Sequence, residues 1–340
     1  MGGCWRGFGL VDAVVSVVVV CALMAVVVGS GSRARSAGMQ AGSVANLHEF
    51  AAVTASYGAD FQDHVWSFSW RMTDRNLSSF ADLNSQLASS STPLASASVQ
   101  AIDIARRRGR PDAAYLANWV PSVTYGHWVL SEYLDQPLTL RFAVSPGDRY
   151  LRLWADDPTA FYAGQLPPTL PPQTPPLAFG PYGMSYRMGP AFWATDFEIA
   201  PTRGSIRQAA SHNLYQLSPS HMPLRLGERR WAEVTYPSQK VFMFDSAQWT
   251  GARAPVWWGY LHARVPQLMA DGSVQVRASG RSNVGFKPDL PSSPYSTLIN
   301  YSPSVWEPPL LGEVIKGRVY WTRNGIRGRD YDGPEVPATP

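Results

Sequence analysis

The chain has 340 residues, room for one large or two small domains. Its hydrophobic content of 45% and charged content of 16% suit a folded chain and exclude a disordered one. A net charge of only +4 argues against a nucleic-acid-binding surface, and the one dense basic run, Arg106-Arg107-Arg108-Gly109-Arg110, reads as a solvated helix end or loop.

Residues 8–28 are almost wholly apolar, with Asp12 as the one charge among them, Arg6 before them and Arg33 and Arg35 after. The length is close to the roughly 20 residues that cross a bilayer. Val-rich sequence of this kind is a poor helix former in water, but in lipid a helix is the only way to satisfy the backbone. A secretory signal would place a small-x-small cleavage site after the apolar run, whereas here Gly7-Phe8 stands before it. The 2 cysteines, Cys4 and Cys21, both fall in this region, so the rest of the chain has neither a disulfide framework nor a cysteine metal site.

This order of a short leader, a glycine before an aromatic residue and one acid at the mouth of an apolar helix resembles the class III leader of type IV prepilins and type II secretion pseudopilins. The resemblance implies cleavage by a membrane prepilin peptidase between Gly7 and Phe8, methylation of the new Phe8 amine, and retention of the helix. It implies that Asp12, fifth in the processed chain where the family usually carries Glu, meets the amine of a neighbouring subunit. It also implies the inner membrane as location, a single pass, a head outside the cytoplasm and other pilin-like subunits as partners. A plain signal anchor remains the alternative for the same residues.

Beyond the apolar run, Leu47, Phe50, Ala51, Thr54 and Tyr57 recur at three- and four-residue steps, which predicts an amphipathic outer half to one long helix over 8–57 that ends near Gly58. Gly29, Gly31, Gly38 and Gly42 are expected to interrupt it and make it bend. The stretch Arg33-Ala34-Arg35, then Asn46-Leu47 and Tyr57-Gly58-Ala59-Asp60, resembles the N-terminal part of the large prepilin-like proteins of planctomycetes.

The head is expected over 58–329. Residues 64–70, 138–143, 150–154, 230–235, 240–244, 256–260, 273–278 and 314–321 read as strands, and 80–87, 98–108 and 125–134 as helices. Residues 165–176 form a proline-dense insertion, and 330–340 read as a loose polar tail. The resulting fold class is α+β, a long N-terminal helix packed on a mainly antiparallel sheet.

Near the C-terminal end, His262 is followed after eight residues by Asp271-Gly272-Ser273-Val274. Asp-Gly between alternating apolar runs signals a hairpin turn. The string resembles the terminal His-x9-Asp-Gly motif of the same prepilin-like family, with one spacer residue fewer, and Pro237–Ser246 is similar to the strand before it. The turn alone accounts for the motif without chemistry. Asp330, Asp332 and Glu335 gather hard oxygen donors as a weak calcium candidate, while His212 and His221 lack the spacing of paired ligands on one helical face. No nucleophile elbow, phosphate loop or His-Glu-x-x-His motif occurs. The reading is a non-enzymatic assembly subunit without a cofactor. Its rival is an anchored extracytoplasmic enzyme or binding domain, with Trp257-Trp258 as a candidate sugar-stacking pair.

Overall fold

Helix α1 runs unbroken from Leu10 to Asp60 and organises everything that follows. The computed structural model describes residues 10–71, 73–117, 119–165, 177–194, 206–208, 212, 215–217, 226–251, 254–286 and 298–337, with only the backbone of 10–16, 19–30, 177, 178, 206–208, 216 and 217. The expected leader 1–7, Phe8, His221 and nearly all of the 165–176 insertion therefore lie outside the described residues. So does the side chain of Asp12. Among the described residues no helix is long and apolar enough to cross a membrane. The four glycines do not interrupt α1: each stays helical, since a glycine inside a helix costs about 1 kcal/mol relative to alanine but removes no backbone hydrogen bond.

After α1 come α2 (Ala81–Ser89), α3 (Pro93–Arg107), α4 (Ser122–Tyr125), α5 (Trp128–Tyr133), α6 (Arg149–Asp156) and α7 (Pro158–Tyr162). The strands are β1 (Tyr186–Met188), β2 (Ile206–Gln208), β3 (Tyr215–Leu217), β4 (Val241–Asp245), β5 (Ala247–Gln248), β6 (Val256–Trp257), β7 (Arg264–Met269), β8 (Val274–Ala278), β9 (Leu298–Ile299) and β10 (Ile315–Lys316). The main sheet has the order β1-β4-β7-β8 and every pairing in it is antiparallel. The remaining strands form two-stranded pairs. The fold is thus α+β with an antiparallel sheet.

Local signals explain the helices. Thr92 caps α3 by accepting from the Ala95 N–H at 3.2 Å, Pro93 opens it, and Arg106 and Arg107 sit in its last turn, where a cation suits the helix dipole. Asp157 caps α7 in the same way, with Pro158 following.

Four strand expectations fail for identifiable reasons. Residues 150–154 are helical in α6 because Asp148 caps Leu151 N at 3.1 Å and Leu151 and Trp154, three apart, face inward together. Residues 138–143 end in a 3-10 turn at Arg141–Ala143 that feeds Phe142 into the core. Residues 230–235 are held in a 3-10 turn by Glu233, which accepts from Arg230 N at 2.9 Å. Residues 64–70 form no strand: they make only an isolated bridge, His64 to Arg230, and the amides of Ser69 and Trp70 donate to the Gln100 side chain instead of a neighbouring strand. The 314–321 strand shrinks to β10, since Arg318 adopts φ +40° and starts a 3-10 turn.

One core dominates. All of β4 is buried: Phe242 packs on Trp66, Phe192 and Trp231, and Phe244 on Trp258 and Tyr320. Such aromatic pairs carry the core of a head with no disulfide.

Candidate functional site

The outer part of α1 is seated on the head by the face the sequence marks. Leu47 and Phe50 are fully buried and Thr54 nearly so, across β4, β7 and β8. Phe50 meets Phe142 edge-on at 4.7 Å and Tyr186 at 5.6 Å, and Trp66 Nε1 donates to Thr54 Oγ1 at 2.8 Å. Gly42 lets the helix touch the head closely, since a Cβ there would stand 2.8 Å from Pro146.

A polar clasp sits at the N-terminal end of this seat. Asp245, at the end of β4 and 1% exposed, accepts from Ser43 Oγ of α1 at 2.7 Å, from Ser145 Oγ at 3.0 Å and from Trp249 Nε1 at 2.6 Å. Asn46 of α1 donates to the Val144 carbonyl at 2.9 Å and to the Tyr186 hydroxyl at 3.1 Å. Behind them Ser185 Oγ donates to Asp148 Oδ2 at 2.9 Å and accepts from Ser145 N at 3.0 Å. Burial pushes the Asp245 carboxyl up to about 7 against the opposing pull of its three hydrogen bonds, and it pushes Asp148 up to about 6. A cavity of about 250 Å³ opens beside Asp245 toward Gln40 and Arg264.

The terminal motif is a turn. Gly272 takes φ +85°, and Asp271 Oδ1 accepts from Ser273 N at 2.9 Å and from Ser273 Oγ at 2.7 Å, closing the β7–β8 hairpin. His262 lies beyond the opposite end of β7, exposed and 3.7 Å from Glu313. The six-residue β7 between them spans about 20 Å, so the two do not form one site.

The calcium candidates are drawn apart as well. Asp330 is buried, accepts from Val241 N at 2.8 Å and from Thr322 Oγ1 at 2.5 Å, and lies 3.4 Å from Lys240 Nζ. Asp332 pairs with Arg277 at 2.6 Å, and Glu335 with Arg323 at 3.0 Å and the Gly285 N–H at 2.6 Å. Among the described residues no group of three acids, histidines or cysteines is placed to hold a metal. The expected loose tail is corrected at its start, because Asp330 and Tyr331 are core residues.

Three further sequence readings meet the structure here. His212 is buried, with Nε2 2.7 Å from Glu307 and its ring beside Tyr301. Trp257 and Trp258 are also buried, Trp257 stacked on Tyr301 at 4.3 Å, so neither presents a face to a sugar. The arginine run is neutralised at home: Arg106 pairs with Asp82, Arg107 with Asp103 and Glu132, Arg108 with Glu132 and Asp135, and Arg110 with Asp112. Sequence reasoning missed the Asp245 clasp, whose members are up to 202 residues apart.

No protein-family model, no curated protein and no solved structure matches this chain.

Proposed function

We propose that the chain is a non-enzymatic, prepilin-like or pseudopilin-like subunit that assembles through its N-terminal helix in a type II secretion or type IV pilus-like system. In this reading a prepilin peptidase cuts between Gly7 and Phe8, the apolar segment 8–28 anchors the protein in the inner membrane, and the head stands outside the cytoplasm. The observation that supports it best is α1: a single helix of 51 residues whose outer part is seated on an antiparallel sheet while its inner part continues past the head. A helix that projects free of its own domain has surface to offer other subunits.

The chemistry assigned to Asp12 follows from its setting. A lone carboxylate in hydrocarbon is expensive, and it is stabilised when it meets the cationic amine of a neighbour. That makes Asp12 an assembly contact and sets the register between subunits.

Intact-mass analysis of the membrane-extracted full chain tests the proposal. The expected species begins at N-methyl-Phe8. A chain that keeps residues 1–7, or one cut after Gly31 or Ser36, would overturn it.

A further inference from the structure

Beside the seat of α1 the head leaves an open groove of about 660 Å³. Ala51, Ala55 and Ala59 of the helix, four residues apart and so on one face, form one side, and Trp231 forms part of the other. Asp63 and Asp271 are exposed at its rim, and no lysine or arginine lines it. The groove is therefore largely apolar, with a negative rim.

A second stretch of α1 has the complementary character. Residues 31–35, 37 and 38 are exposed, and among them are Arg33 and Arg35. A Cβ added at Gly31 or Gly38 would meet nothing within 4 Å. Glycine inside a helix costs about 1 kcal/mol relative to alanine, and here the chain's own head makes no use of the missing side chain. Gly42 differs, since Pro146 occupies the space its side chain would need. A thin helical face with Ala34 and Gly38 four residues apart is what close approach of another helix requires.

The two features cannot meet within one molecule. Arg35 and Ala59 lie on the same helix, 24 residues and so about 36 Å apart. We infer that the groove receives the 31–38 segment of α1 from a second copy of this chain, with Arg33 and Arg35 of the incoming helix against Asp63 and Asp271. The inference rests on the assembly reading and adds a contact to it. Two parallel copies joined in this way are staggered by about 36 Å along α1. Each copy presents both a groove and a segment, so the contact is heterologous and propagates into an open array instead of closing as a dimer.

Cysteine crosslinking of the full chain tests this. Ala34→Cys and Gln62→Cys together, in a Cys4→Ser, Cys21→Ser background, place one thiol on the segment and one at the groove. Mild oxidation of assemblies sheared from cells should give a ladder of trimers and larger species, because a stagger of about 36 Å exceeds the ~30 Å apolar core of a bilayer and lifts each successive copy out of it. Arg33→Glu with Arg35→Glu should lower the ladder about fivefold, the worth of two exposed ion pairs. Gly38→Leu should abolish it, and both changes fall where the single chain makes no contact. No ladder, or a ladder indifferent to both changes, overturns the inference. A parallel protein that keeps only native Cys21 reads association of the apolar segments. Cys21 dimers without the ladder sink this contact and leave the assembly reading standing, whereas loss of both sinks the two together.

Discussion

Asp245→Asn isolates the energetics of the clasp between α1 and the head. Burial raises the Asp245 carboxyl from 3.8 to about 7, so the folded chain holds the proton more tightly than the unfolded chain does. The sign follows from linkage: the stability contributed by the protonated form is fully present below about pH 4 and is lost as pH rises through about 7. A shift of about three units is worth about 4 kcal/mol in full, of which about 2.6 kcal/mol falls between pH 5 and pH 8. Asparagine keeps the shape and accepts from Trp249, while its amide donates to Ser43 or Ser145, so the variant retains the contacts without the charge. Urea unfolding of the full chain in mild detergent, followed by the fluorescence of its 13 tryptophans, measures the difference at each pH. Variant minus parent should climb by about 2–3 kcal/mol from pH 5 to pH 8. Parallel stability curves for the two proteins would refute the claim that Asp245 carries a buried, titrating charge.

Three further outcomes are expected. His127 is fully buried and held neutral, its pKa pushed down to about 3, so the parent should lose about 3 kcal/mol between pH 7 and pH 4 that His127→Phe keeps; equal acid sensitivity would remove the role. Asp330→Ala strands the Lys240 ammonium in the core and should cost about 3–5 kcal/mol in urea unfolding, most of it recovered by adding Lys240→Met; a mild loss in the single variant would show that the pair is not sealed from water. Asp12→Ala should leave membrane insertion intact and reduce Cys21 crosslinking, while Asp12→Glu should match or exceed the parent; equal crosslinking in all three would make Asp12 an interfacial residue of a simple anchor.

What the sequence made legible was local and periodic. The buried face of α1 is written in the spacing of Leu47, Phe50 and Thr54, and the β7–β8 hairpin in Asp271-Gly272. What escaped was either a competing local signal or a distant meeting. Residues 150–154 alternate like a strand, yet the Asp148 cap lies just outside that window and turns them into α6. Asp330 sits in a run of polar and proline residues that looks like a tail, and only the burial of Lys240, 90 positions away, calls it back into the core.

The same contrast bears on how α1 works. Ser43 and Asn46 are small polar residues on a helix face, and nothing near them in sequence says they reach Asp245, Val144 and Tyr186. Their partners come from three separate segments of the head, so the clasp is complete only where all three are brought together. The helix is thus fixed to the head at Ser43 by hydrogen bonds and from Leu47 to Thr54 by apolar burial. N-terminal to the clasp, residues 31–38 carry two arginines and two glycines on a surface that the head leaves bare. A rigid seat followed at once by an exposed, thin and basic stretch divides one continuous helix into a part packed on its own head and a part that the head leaves exposed.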